Sequence, residues 1–234
     1  MLSNISAQGR RILLLTAVLG LVAGCAGSSP TLDTSAAAEM TFDGLYPVKG
    51  GSADQAWARP GSDLSQYSKI MLEGVGIEYR PGGESGRLFH SRTSADHYAI
   101  SDTQKKRLRE IVGEAFLDEL GKSEQFTIVN EAGPDVLSIR AGLLDVVSFV
   151  PPDTATSMVD VYLSSVGEAT LVLEIRDSVS GAIIARAIDR RAAEDAFGFH
   201  ESNRVTNSAD VRRLAQAWAR LLRTRLDEFG APKE

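Results

Sequence analysis

Two clusters of polar residues have the composition of a catalytic centre. Asp189, Arg190, Arg191, Glu194 and Asp195 crowd the end of one apolar stretch, and His200 with Glu201 follows in a loop. A carboxylate pair drawn from them could exchange protons with a substrate. A hydrolase built on Asp195 and Glu201 would need the two to converge in a cleft that raises the pKa of one. The same residues also suit an ion-pair network around two arginines, which stabilises little when exposed. His90, Asp96 and His97 are metal-ligand types, but no helical i, i+4 pairing joins them, so they read as solvated loop residues. Gly82-Gly83-Glu84-Ser85-Gly86 lacks the lysine of a phosphate loop and the glycine-centred serine of a nucleophile elbow, and reads as a polar loop. The chain's one cysteine excludes an internal disulfide and a multi-thiolate metal site. No cofactor and no metal are expected, and the chain reads as a non-enzyme.

A binding surface is the sharper pattern. At 100° per residue, Arg212, Arg213, Arg220 and Arg223 fall within about 100° of one another on a helix, opposite an apolar arc. Four guanidinium groups in an acidic chain could dock carboxylate or phosphate on an envelope protein or another anionic envelope component; a solvated helix face is the plainer alternative. The segment 151–166, with Met158, Val159, Val161, Tyr162 and Leu163, is either a second contact surface or part of the core. Asp145 interrupts an apolar run, so burial there would require a cationic partner, for which Arg190 or Arg191 is the natural candidate.

These residues need a scaffold. With 234 residues, 43% hydrophobic and 24% charged, the chain has the composition of a globular protein. Its net charge of −6 argues against nucleic acid as partner. Residues 42–67 read as irregular, with Trp57 and Tyr67 pinned to the core. A strand is expected over 68–79, then a helix capped by Ser101 and Gln104 and closed at Gly121, with Leu108, Ile111, Val112, Ala115, Phe116 and Leu120 at core spacing. Strands follow at 126–129, 136–150, 166–176 and 182–190, the last two joined by a turn at Asp177–Gly181. A second helix, 208–229, carries Leu214, Ala215, Trp218, Leu221, Leu222, Leu226 and Phe229 inward. The order β-α-β-β-β-β-α predicts an α+β two-layer sandwich: a largely antiparallel sheet of about five strands with two amphipathic helices on one face. The other sheet face would be wet or open to a partner.

The amino terminus reads as an address. Arg10-Arg11 precede an apolar run, Ile12 to Val22, too short for the ~20 residues a bilayer span requires. The run closes on Leu21-Val22-Ala23-Gly24-Cys25, which resembles the lipobox of bacterial lipoproteins. The resemblance implies a signal peptide over 1–24, cleavage between Gly24 and Cys25, diacylglycerol on the Cys25 thiol and a further acyl chain on the new amino terminus. Removal of 1–24 takes away two arginines and no acid, moving the net charge from −6 to −8. Ala26, rather than aspartate, after the cysteine implies the periplasmic side of the outer membrane. Residues 25–41, rich in Ala, Ser, Thr and Gly, read as a lipidated flexible tether with a reach of about 20 Å, and 42–234 as a single periplasmic domain.

Asp43-Gly44-Leu45, the run Gly61 to Tyr67, Gly133-Pro134-Asp135-Val136-Leu137, and Asp177 to Gly181 followed by Asp189-Arg190-Arg191 occur in an order that resembles the bacterial lipoproteins grouped as domain of unknown function 3313. That resemblance implies no activity. Three expectations stand: a non-catalytic accessory or binding lipoprotein of the envelope, a carrier of a lipid or other apolar ligand held against the open sheet face, and a hydrolase.

Overall fold

Periodicity and capping chemistry place the elements largely where expected. The computed structural model describes residues 29–80, 98–150, 162–163, 165–194, 200–201 and 203–230. Expectations for Gly24, Cys25, His90, Asp96, His97, the glycine-rich loop 82–86 and Asp195 fall outside those residues. The elements are β1 (Thr31–Leu32), β2 (Tyr46–Lys49), β3 (Gln55–Ala58), a 3₁₀ turn (Leu64–Gln66), β4 (Lys69–Tyr79), α1 (Asp102–Leu120), β5 (Thr127–Ile128), β6 (Val136–Ser148), β7 (Tyr162–Leu163), β8 (Ser165–Asp177), β9 (Ile183–Glu194), β10 (His200–Glu201) and α2 (Arg204–Gly230).

The main sheet has eight strands in the order β1-β2-β3-β9-β8-β6-β4-β5 and is not closed; β7 and β10 form a separate antiparallel pair. This corrects the expectation of about five strands. The stretch 42–67 is not irregular: Gln55–Ala58 pairs antiparallel with β9, and Tyr46–Lys49 pairs with Gln55–Ala58 in turn. Both runs are four residues long, too short to show a period against their turn residues. Thr31 and Leu32, inside the stretch expected to be tether, pair with Lys49 and Val48. The sheet is mixed, because β4 runs parallel to both β6 and β5. A helical crossover, here α1, is what a parallel neighbour requires.

Ser101 accepts a hydrogen bond from the Gln104 N–H, and the Gln104 side chain accepts from the Ser101 N–H, completing the expected capping box. Ile111, Val112, Ala115, Phe116 and Leu120 are buried and Leu108 packs against them. Helix α2 begins four residues earlier than expected. Asn203 and Thr206 exchange reciprocal bonds of 3.0 Å there and cap the helix. Ion pairs Glu114–Arg212 and Glu119–Arg220, with the Ser123–Asp227 hydrogen bond, show α1 and α2 running parallel. Both helices pack on the sheet face formed by Ile70, Leu137, Ile139, Leu171 and Leu173.

Candidate functional site: an apolar cleft beside the second helix

Eight strands are wider than two helices can cover. Helix α1 lies over β4, and α2 lies chiefly over β8 and β9, so neither helix is centred on β1–β3. The right-handed twist of a sheet carries such outer strands out of plane, beside a covering helix rather than beneath it. Side-chain size does the rest. Ala56 pairs directly with Ala187, and Ala58 with Ala185, so four small side chains meet where β3 joins β9. Paired residues share a face, and on β8 the next positions are Leu173 and Ile175. Methyl groups surrounded by leucines leave a hollow.

The hollow is a cleft of about 390 Å³, within the range of roughly 300–1,000 Å³ typical of small-molecule sites. Its walls are α2 (Trp218, Leu221, Leu222, Leu226, Phe229), the alanines with Leu171, Leu173 and Ile184, and Val48, Leu32 and Pro30 of the first strands. Of the chain's two tryptophans, Trp218 lines it from α2, and Trp57, paired with Arg186, borders it on β3. Phe229, expected to be core, is 50% exposed. Arg59, Arg186 and Arg225 are the cations among its lining residues. Arg59 donates to the carbonyls of Ile183 (2.8 Å) and Asp43 (2.9 Å), whereas Arg225 pairs with Glu228 at 2.7 Å.

Asp189 is the buried carboxylate of this region, 5% exposed. It accepts from Trp218 Nε1 at 2.7 Å, Arg191 Nε at 2.6 Å and the Asp54 N–H at 3.2 Å. Three donors tie α2, β9 and the β2–β3 turn to one side chain. That is the work of a structural anchor, since its acceptor sites are already engaged. Arg190 pairs with Glu168. The charge cluster is therefore an ion-pair network where it is described. Among the described residues no three His, Cys, Asp or Glu side chains could share a metal ion. His200 and Glu201 lie in β10, paired with β7.

The four stripe arginines face carboxylates of the chain itself. Arg212 reaches Glu114 at 2.9 Å, Arg220 reaches Glu119 at 3.5 Å, and Arg223 lies 3.1 Å from Asp227 and 3.9 Å from Glu119, while Arg213 pairs with Asp210. Three of them thus stitch α2 to α1. Glu119, 2% exposed, was missed as a core position. The hydrogen bond from Lys122 holds its carboxyl below the ordinary 4.5, against the upward push of burial and with help from Arg220.

Asp145 pairs with Arg80, not with Arg190 or Arg191, and Glu168 lies 3.9 Å from the same guanidinium. Its side chain is 41% exposed, because a bulge between Leu144 and Val147 turns the backbone to φ 56° there. In the segment 151–166, Tyr162 and Leu163 are β7, and Val166 is buried.

The sheet face away from the helices is polar. Glu73 accepts from Arg140 (2.7 Å) and Ser138; Glu174 accepts from Arg186 (2.9 Å) and Arg176 (3.1 Å); Arg186 continues to Asp43 at 2.7 Å. Burial raises the Glu174 pKa, but its two arginines outweigh that and hold it below 4.5. The apolar room expected on the open face lies on the helix side instead. Among the described residues no helix is long and apolar enough to cross a membrane.

Comparison with known proteins assigns the family. No curated protein matches the chain. The PelC dodecamer from Paraburkholderia phytofirmans is 11% identical (TM-score 0.34; 72% of this chain and 96% of that chain covered). Protein XCC0632 from Xanthomonas campestris is 10% identical (TM-score 0.38; 74% and 90%), and hypothetical protein CT253 from Chlamydia trachomatis 11% (TM-score 0.39; 70% and 98%). Likenesses at this level carry no argument. Residues 33–222 match the model of a family described as protein of unknown function, DUF3313, and the chain belongs to that family.

Proposed function

We propose that this DUF3313 protein is a non-catalytic envelope lipoprotein, anchored through Cys25, whose cleft beside α2 binds an apolar, acyl-chain-like ligand. The observation that carries the reading is the hollow made by Ala56, Ala58, Ala185 and Ala187 against Leu221, Leu222 and Phe229. Filling it would need only larger side chains at those four positions, so the space is a property of the sequence at that place. An elongated apolar ligand gains about 0.8 kcal/mol per buried methylene, enough for several methylenes to outweigh the cost of ordering the chain. The described carboxylates nearby are occupied by cations and N–H donors, which favours holding a ligand over transforming it. An anionic protein partner docked on the arginine stripe ranks second, because each of those arginines already faces an internal carboxylate.

The test is a titration of the unlipidated Cys25→Ser protein with nitroxide-labelled stearic acid, read by tryptophan quenching. Saturable one-to-one quenching is expected. Ala187→Phe, which fills the hollow, should weaken it at least tenfold while the circular dichroism spectrum stays unchanged; Ala58→Leu serves as the second filling variant. Unaltered binding in both folded variants, or no saturation in the parent, overturns the proposal.

A further inference from the structure

We propose that an acyl chain carried by Cys25 itself is the resident occupant of the cleft, so that any other ligand binds in competition with the protein's own anchor. This rests on the binding reading above and on lipidation of Cys25. Where the chain enters the domain is the first observation. Ser29 and Pro30 sit on the cleft rim with Gly50, Ser52, Arg225 and Phe229, and Pro30 and Leu32 also line the cleft.

The entry point is fixed. Leu32 pairs with Val48, the Asp33 N–H donates to the Pro47 carbonyl at 2.8 Å, and Asp33 meets Lys49 at 2.7 Å. The tether that matters is therefore the four residue-to-residue steps from Cys25 to Ser29, which span at most about 14 Å when fully extended. A chain bonded at that distance competes at an effective concentration in the millimolar range, as a short linker provides. The anchor also has a chain to spare. Two acyl chains hold a protein stably at a bilayer, and the lipobox implies three. The half-exposed Phe229 at the rim gives the third an apolar way in.

The decisive experiment labels the intact lipoprotein in cells with a diazirine analogue of palmitic acid, irradiates the membranes and maps crosslinked peptides. Crosslinks joining the Cys25 peptide to α2 residues between Trp218 and Phe229 of the same molecule are expected. In parallel, the lipidated protein should bind nitroxide-labelled stearic acid at least tenfold more weakly than the Cys25→Ser protein. Crosslinks confined to phospholipid or to surfaces away from the cleft, with saturable binding intact in Cys25→Ser, overturn the inference and leave the binding reading standing. Absence of saturable binding in Cys25→Ser removes both.

Discussion

At the residue scale, two backbone positions decide how the long strands pass one another. Asp145 sits at φ 56°, where Asp and Asn are tolerated and a β-branched residue is strained. Asp145→Asn keeps the conformation and loses a partly exposed ion pair, so urea denaturation should register at most about 1 kcal/mol. Asp145→Val should cost about 1–2 kcal/mol more from the left-handed conformation alone; equal losses would show that the ion pair, not the backbone, governs the site. Gly167 is a different case. A Cβ there would lie 2.3 Å from the Val147 carbonyl oxygen, so Gly167→Ala must push β6 and β8 apart. A loss of about 1–3 kcal/mol is expected, with a lowered melting temperature as the measurement; an unchanged melt would mean that the strands separate freely.

At the element scale, the helix pair is held by a carboxylate in a cationic setting. Glu119 is held below 4.5 in the folded protein, so it contributes stability that is present above about pH 4.5 and is lost as pH falls through its lowered pKa. Glu174 adds to the same acid limb from the sheet. Glu119→Gln should therefore lower stability at pH 7 and flatten its decline as the pH falls below about 4.5 in urea titrations; an acid limb as steep as in the parent would contradict the seam described. This pair also shows what the sequence could disclose. Ser101, Gln104 and the apolar spacing of α1 announced the helix because capping and period are local. Glu119 as a buried residue was not legible: Lys122 is a local partner, but the cover and the two arginines that face it come from α2, one hundred residues on. Gln55-Ala56-Trp57-Ala58 alternates, but four residues among turn signals do not define a strand until β9 supplies the hydrogen bonds. The cleft was out of reach for the same reason: alanines at 56, 58, 185 and 187 mean a hollow only once they are paired.

At the scale of the whole molecule, the layout separates polar from apolar work. One sheet face carries the lattice of Glu73, Arg140, Glu174 and Arg186, and the helix side carries both the core and a cleft the helices leave open. The chain enters from the amino-terminal side at the cleft rim, so the proposed lipid on Cys25 and the apolar space would share one end. The central claim is that this space binds an acyl chain. Its most direct test is a set of nuclear Overhauser contacts between ¹³C-labelled palmitic acid and the methyl groups of the Cys25→Ser protein. The account predicts contacts from the chain to Leu221 and Leu222 of α2 and to Leu173 of β8. Contacts instead to Leu144 or Met71 on the opposite face, or none at saturating fatty acid, would contradict it.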